Sequence, residues 1–276
     1  AVLGVEFDRA LLARISREPD QPDDQLDRGL EALRAAELIL VTRGGAFGDK
    51  DRRYRFTHSI VQEVVYQNLL LKSRTALHGR AGAELEAICG GMPERLEQIE
   101  ALAYHFSASD DSAKGVGYMV AAGDRARRVF ANDDAIRHYR RALETIETSG
   151  LDGPERLEVL ERLADLLGPM GRRDEALGHY ETVLGALVEA DDRAAQARLY
   201  RKIAWLHWED GARDLALARI KAGLDLLEGR EQEIELAHLY HEMGRLAFRG
   251  GDNDGAVEWA RRALLCAEPL LASANG

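Results

Sequence analysis

Cysteine is scarce in this sequence: its two copies, Cys89 and Cys266, stand far apart with no second thiol beside either. That excludes a disulfide framework and a cysteine-based metal or redox pair, and it suits a reducing cytoplasm. Each thiol is expected to be a small core residue. Long apolar runs are missing too. Nothing approaches the roughly 18 to 20 residues a membrane helix needs, and the N-terminus has no basic segment followed by an apolar one. No Gly-x-x-x-x-Gly-Lys-Ser/Thr stretch occurs, so the backbone cradle and lysine that hold nucleotide phosphates are absent. The acids and histidines show no nucleophile–base spacing either, which leaves nothing from which to assemble an independent enzyme, and no cofactor is expected on this stretch.

What is present is ample apolar content. With 46% hydrophobic residues over 276 positions, the chain is expected to fold as one or two domains around a packed core. A net charge of −11 argues against a nucleic-acid footprint spread over the whole surface. The charge is uneven: residues 1–90 carry 13 basic and 14 acidic side chains, residues 91–276 carry 24 and 34. That shift points to two parts with different surfaces. The sequence opens Ala-Val-Leu-Gly rather than with Met, which suggests a segment of a longer protein.

The second part repeats. The stretch 172–187 recurs in weaker copies aligned on Ala135, Ala176, Ala216 and Ala256, at steps of 41, 40 and 40 residues. A fixed period of this size means stacked supersecondary units. Helices are expected at 94–106, 112–130 and 133–147, then in pairs at 155–168 with 173–187, 193–209 with 213–228, and 232–249 with 253–267. Gly123, Ala164, Ala204 and Gly244 take a small-residue position on the first helix of each pair. The four aligned alanines take one on the second helix, and Tyr139 and Tyr180 an aromatic position. Gly171, Gly211 and Gly251 fall at the intervening turns, where a helix end often needs positive φ. This is the pattern of tetratricopeptide (TPR) repeats, in a variant with longer helices, and its stability is expected to come from stacking of neighbouring units.

The first part reads differently. Phe7, Leu11, Leu12 and Ile15 sit at helical spacing over 7–15, and Pro19 and Pro22 end that helix. A second helix, capped by Asp23 or Asp24, covers 27–37 with Leu26, Leu30, Leu33 and Leu38 marking its apolar face. Strands are expected at 38–42 and 54–57 around a Gly-rich tip at 43–49, followed by helices at 59–71 and 73–88. Two helices, a hairpin and a further helix make a winged-helix pattern.

Here the residues match a known family. Phe56-x-His58-x-x-x-x-Glu63-x-x-Tyr66, with Tyr54, Arg55, Leu69, Leu70, Arg74, Leu77, His78, Ala81, Leu85 and Glu86 around it, resembles the segment after the ATPase core of bacterial STAND/AAA-type signalling ATPases. Such ATPases are fused to class III adenylate or guanylate cyclases or found in large LuxR-type regulators. The opening 1–7, with Leu11 and Leu12 behind it, is similar to the start of that family's winged-helix domain. The resemblance implies a mainly all-α chain: a winged-helix-like domain at 1–72, connecting helices at 73–111 and a TPR-like superhelical solenoid at 112–276. It implies a bacterial, cytoplasmic, non-catalytic regulatory region whose parent binds ATP and Mg2+ elsewhere, since no cyclase segment is present here. In several such ATPases a winged-helix histidine senses the phosphates of bound nucleotide; His58 is the candidate, with capping of the next helix or packing under the hairpin as the other roles open to it.

In TPR arrays the first helices line a concave groove. Family register, started at Ala197, assigns Arg198, Arg201, Trp205, Trp208 and Glu209 to it in the third unit. Started at Ala237, it assigns His238, His241, Arg245, Phe248 and Arg249 in the fourth. The second unit offers Glu158, Glu161, Asp165, Gly168 and Pro169, so the groove changes from acidic to basic and aromatic. The expected partner is an acidic or C-terminal peptide, a protein, or another domain of the parent. Arg and Trp are types enriched at binding hot spots; packing is the competing role for Trp205 and Trp208, and pairing with acids for the arginines. The register leaves self-association open.

Other constellations carry less. His238 and His241 supply only two ligands, too few for zinc, so no metal is expected. Glu158 and Glu161 read as a solvated face. Arg43, Lys50, Arg52, Arg53 and Arg55 cluster near the hairpin and make a DNA-binding winged helix with a TPR effector domain the alternative function. Asp49 and Asp51 interleave with them, however, and the preceding helix is not basic.

Overall fold

The computed structural model describes residues 1–16, 23–42, 53–151, 153–230 and 233–274, and of the helical residues 23–24 and 270–274 the backbone alone. It divides into two compact units, Ala1–Arg156 and Leu157–Gly276.

The first unit begins with β1 (Glu6–Asp8), α1 (Arg9–Ser16), α2 (Asp23–Ala35), β2 (Ile39–Thr42) and β3 (Arg53–Phe56). The three strands form an antiparallel sheet in the order β1-β3-β2. Phe7 therefore belongs to a strand, where a helical spacing had placed it in a helix. The period-two run Glu6-Phe7-Asp8 decides the matter: Phe7 turns inward opposite Tyr54 with rings 5.8 Å apart, while Arg53 faces Glu6 at 3.5 Å and Asp8 at 3.8 Å. Phe7, Leu30, Ile39, Tyr54 and Phe56 make the core of this sheet, with Leu12, Leu26 and Val61 packed on it. Leu33 does not join them and stays 41% exposed, and α2 stops short of residue 37 because Glu37 adopts φ 58. The Gly-rich tip with Arg43, Lys50 and Arg52, and the Pro19–Pro22 loop, lie outside the described residues.

Helices α3 (Ser59–Asn68) and α4 (Leu71–Cys89) follow. The expected continuation of α3 to residue 71 fails because Leu69 and Leu70 are extended, at ψ 132 and 139. Next come α5 (Leu96–Ser107), α6 (Ser112–Arg128) and α7 (Asn132–Ser149). α8 (Pro154–Leu167) starts at the end of this unit. The second unit continues with α9 (Arg173–Glu189), α10 (Arg193–Glu209), α11 (Arg213–Leu226), α12 (Ile234–Arg249) and α13 (Asn253–Ala274). The paired helices thus fall within a few residues of where periodicity puts them, except that α13 runs on past 267.

The repeat positions have direct physical causes. A Cβ on Gly123 would lie 2.5 Å from the Tyr139 ring, so only glycine admits that ring. The Tyr139 hydroxyl then donates to Asp124 at 2.7 Å, and the Tyr180 hydroxyl to Asp165 at 2.6 Å, the same bond one unit later. Ala135, Ala176 and Ala216 are fully buried at the crossings. The turn inside each helix pair, α6–α7, α8–α9, α10–α11 and α12–α13, closes by the same 6→1 backbone bond: Ala131 N–H to Ala126, Arg172 to Leu167, Ala212 to His207 and Asp252 to Ala247. The residue before each of these donors is left-handed: Gly171, Gly211 and Gly251 at φ 78 to 88, and Phe130 at φ 60. A left-handed non-glycine costs about 1–2 kcal/mol. In the second unit Ala197, Ala204, Ala216, Ile220, Leu227, Leu236, Leu239, Met243 and Leu246 form one buried cluster. Each large apolar member contributes roughly 1.5–3 kcal/mol. Among the described residues, no helix is long and apolar enough to cross a membrane.

Candidate functional site

The residues that the register assigns to a groove lie on α10 and α12, but they divide into two places. Arg201, Trp205, Trp208, Arg245 and Arg249 line a narrow crevice with Ala204 and Glu242. Its free volume is about 10 Å3, room for roughly one water. His241, Arg245 and Phe248 instead border an open, mainly apolar depression of about 600 Å3 with Gly244, Asn253, Ala256, Val257 and Ala260. Arg198 and His238 lie in neither; both are exposed.

The arginines are matched by carboxylates. Arg201 Nε donates to Glu235 at 2.5 Å, and Glu235 is buried at 8% exposure. Arg198 donates to Glu161 at 2.9 Å, and Lys202 to Glu161 at 2.7 Å and Asp165 at 2.6 Å. Arg249 faces Glu209 at 3.6 Å. Glu161 is therefore an ion-pair partner between neighbouring first helices, and only Glu158, bonded to Arg162, stays on the solvated face. Arg245 reaches Glu242 at 2.8 and 3.1 Å through Nη1 for both bonds, so its Nε and Nη2 take no part in that pair.

Trp208 is half-buried against the core cluster, with the guanidiniums of Arg213 at 5.3 Å and Arg249 at 5.8 Å over its indole. Trp205 packs close by: a Cβ on Gly168 would meet its ring at 3.1 Å and Leu206 at 2.8 Å. Both tryptophans are held in the crevice walls. Phe248, the counterpart of Trp208 forty residues on, is 67% exposed beside Val257 at 53%.

His58 is exposed at the start of α3, and its side chain makes no capping bond. Arg53 is engaged by Glu6 and Asp8, while Arg55 is exposed on β3. No group of three His, Cys, Asp or Glu side chains that could hold a metal exists among the described residues.

A polar cluster in the first unit has no signature in local spacing. His78 on α4 and His105 on α5 are buried with their Nδ1 atoms 3.1 Å apart. The Tyr66 hydroxyl lies 3.0 Å from His78 Nε2, and the Arg74 guanidinium stacks on the Tyr66 ring at 4.7 Å. Burial lowers the pKa of both histidines from 6.5 to about 4, helped at His78 by the Arg74 charge and at His105 by His78. A neutral pair needs one Nδ1 to donate and the other to accept. His78 stands in the recognised segment, but its partner is 27 residues away on another helix, a pairing that no local spacing signals.

The architecture, paired helices at a 40-residue period with small residues at the crossings, is TPR-like. BtubC (BKLC) from P. vanneervenii matches it with a TM-score of 0.52 at 19% identity, covering 76% of this chain and 94% of that one. Nearly identical TPR-like repeats from a Podosopora anserina kinesin light chain match at 0.38 and 14% identity, covering 75% and 92%. The Rap conjugation gene regulator of the plasmid pLS20, in complex with the Phr* peptide, matches at 0.46 and 12% identity, covering 97% and 74%. At these identities the likeness concerns the fold alone. No protein-family model and no curated protein matches the chain.

Proposed function

We propose that the chain is a non-catalytic interaction and regulatory region in which the α12–α13 depression takes a protein or peptide partner, or another domain of the parent protein. The observation that carries this is Phe248, a large exposed aromatic on the rim of an apolar depression, with His241 and the open side of the Arg245 guanidinium beside it. An apolar anchor next to cationic donors fits an acidic segment or a C-terminal carboxylate. The crevice around Trp208 is too tight to admit a side chain and serves as the depression's rigid wall.

The β1-β3-β2 sheet with α1 and α2 supports a winged-helix assignment for the start of the chain. With the resemblance around Phe56, His58 and Tyr66, it supports reading the region as one that lies downstream of the nucleotide-binding core of a STAND-type signalling ATPase, which would hold the ATP and Mg2+. His58, being exposed, is free to face that core. The engagement of Arg53 by Glu6 and Asp8 counts against the DNA-binding alternative.

The test is a fluorescence titration of the full chain with short peptides ending in acidic residues and a free carboxylate. Phe248→Ala and Arg245→Ala are each expected to weaken binding about tenfold, as an interface hot spot does. Equal affinity in both variants would remove this surface from consideration.

A further inference from the structure

A different surface lies on the first unit. The turn between α6 and α7 has the same backbone bonds as the turns at Gly171, Gly211 and Gly251, yet its left-handed position holds Phe130; the α9–α10 turn, closed in the same way, holds Asp191, a type that tolerates this conformation. Bulky side chains avoid this conformation, and a glycine would relieve it. The strained side chain is not tucked into the core in return: Phe130 is 87% exposed and Val129 67%. Strain held without a packing gain marks a position kept for another purpose.

The chemistry around it is specific. Arg125, Arg127 and Arg128 are exposed on the last turn of α6, and among the described residues none of their side chains makes a hydrogen bond or ion pair. The helix dipole favours cations at this end, but it accounts for neither Val129 nor Phe130. Three unmatched arginines beside two exposed apolar side chains form a basic, apolar knob on a chain whose net charge is −11. Asp133 and Asp134 open α7 directly after the turn. Asp134 is engaged by Arg137, so the unmatched charge at the turn is mainly positive; the −11 charge of the whole chain repels an extended anionic surface such as a lipid bilayer or a nucleic-acid backbone, so charge complementarity favours a discrete acidic segment.

We infer that the α6–α7 turn is a docking point for an acidic protein segment that carries an apolar side chain. The apolar group packs on Phe130 and Val129, and its flanking carboxylates meet Arg125, Arg127 and Arg128.

The position allows stability and binding to be separated. Phe130→Gly relieves the backbone and is expected to keep or raise Tm. Random peptides displayed on phage are selected on the full wild-type chain, and the enriched peptides are synthesised. Expected are sequences combining Asp or Glu with Leu, Ile or Phe that bind at least about tenfold more weakly to Phe130→Gly and to Arg127→Glu, and unchanged to Phe248→Ala. The inference is overturned if no peptide is enriched, or if the enriched ones bind Phe130→Gly as well as wild type. It is also overturned if Phe130-dependent binding is seen only with phosphatidylserine vesicles or a DNA duplex.

Discussion

In the first unit the most deeply buried polar cluster between helices is neutral: His78, His105 and Tyr66 join α3, α4 and α5 through ring nitrogens and a hydroxyl, while the charged pairs Arg9–Asp27, Arg14–Glu84 and Lys114–Glu86 lie nearer the surface. In the second the polar groups between helices are charged: Glu161 meets Arg198 and Lys202, Arg201 meets Glu235, and Glu209 meets Arg249, pairs 34 to 41 residues apart that tie successive first helices together. A periodic array offers the same lateral position in every unit, so opposite charges can be set facing each other at little cost in design. The helices around His78 and His105 belong to no such lattice, and a buried polar group there must find one partner or remain uncharged. The first arrangement is therefore sensitive to acid, and the second to loss of one member of a pair.

The largest effect should come from the shared apolar core. Leu239→Ala, at 0% exposure in the second unit, is expected to cost about 2–5 kcal/mol in guanidinium unfolding followed by tryptophan emission. All three tryptophans, Trp205, Trp208 and Trp259, lie in that unit, so emission reports it alone. An unchanged midpoint would mean that the array is not held by this cluster.

Acid separates the units next. Because the folded pKa of His78 and His105 is depressed from 6.5 to about 4, the unfolded chain binds more protons over that window. The stability these groups contribute is complete above about pH 6.5 and is lost as pH falls to about 4, at about 1.4 kcal/mol per unit of depression for each group. Circular dichroism should show helix loss on acidification before tryptophan emission changes, and His105→Phe should reduce that difference. Simultaneous transitions in wild type would break the contrast.

Arg201→Ala leaves Glu235 buried without its cation and is expected to cost about 1–3 kcal/mol; Arg201→Ala with Glu235→Gln should recover part of it. Smallest is Arg262→Ala, which removes an exposed pair with Glu258 and should change stability by less than about 0.5 kcal/mol.

Much of the fold was legible because the repeat speaks through local rules. The aligned alanines, the turn glycines and Tyr139 with Tyr180 each recur every 40 or so residues, and the helix pairs fall close to those positions. The N-terminal part was less legible, because three residues, Glu6 to Asp8, satisfy a helical and a strand spacing at once, and only pairing with β3 chooses between them. Of the candidate groove, the register treated ten side chains on α10 and α12 as one surface. Which of them share a crevice, which border the depression and which point elsewhere depends on how α10, α12 and α13 cross.

Spacing along one chain determined by itself what spacing can encode: helical hairpins, their period, where glycine must relieve a turn, and that no phosphate loop is present. Only the tertiary structure decided what depends on groups distant in sequence. It brought His105 to His78, gave each groove arginine a carboxylate, and left Phe248 and Phe130 uncovered. The physical reason is that burial and charge pairing are properties of the space between elements, and that space exists only once the elements have packed.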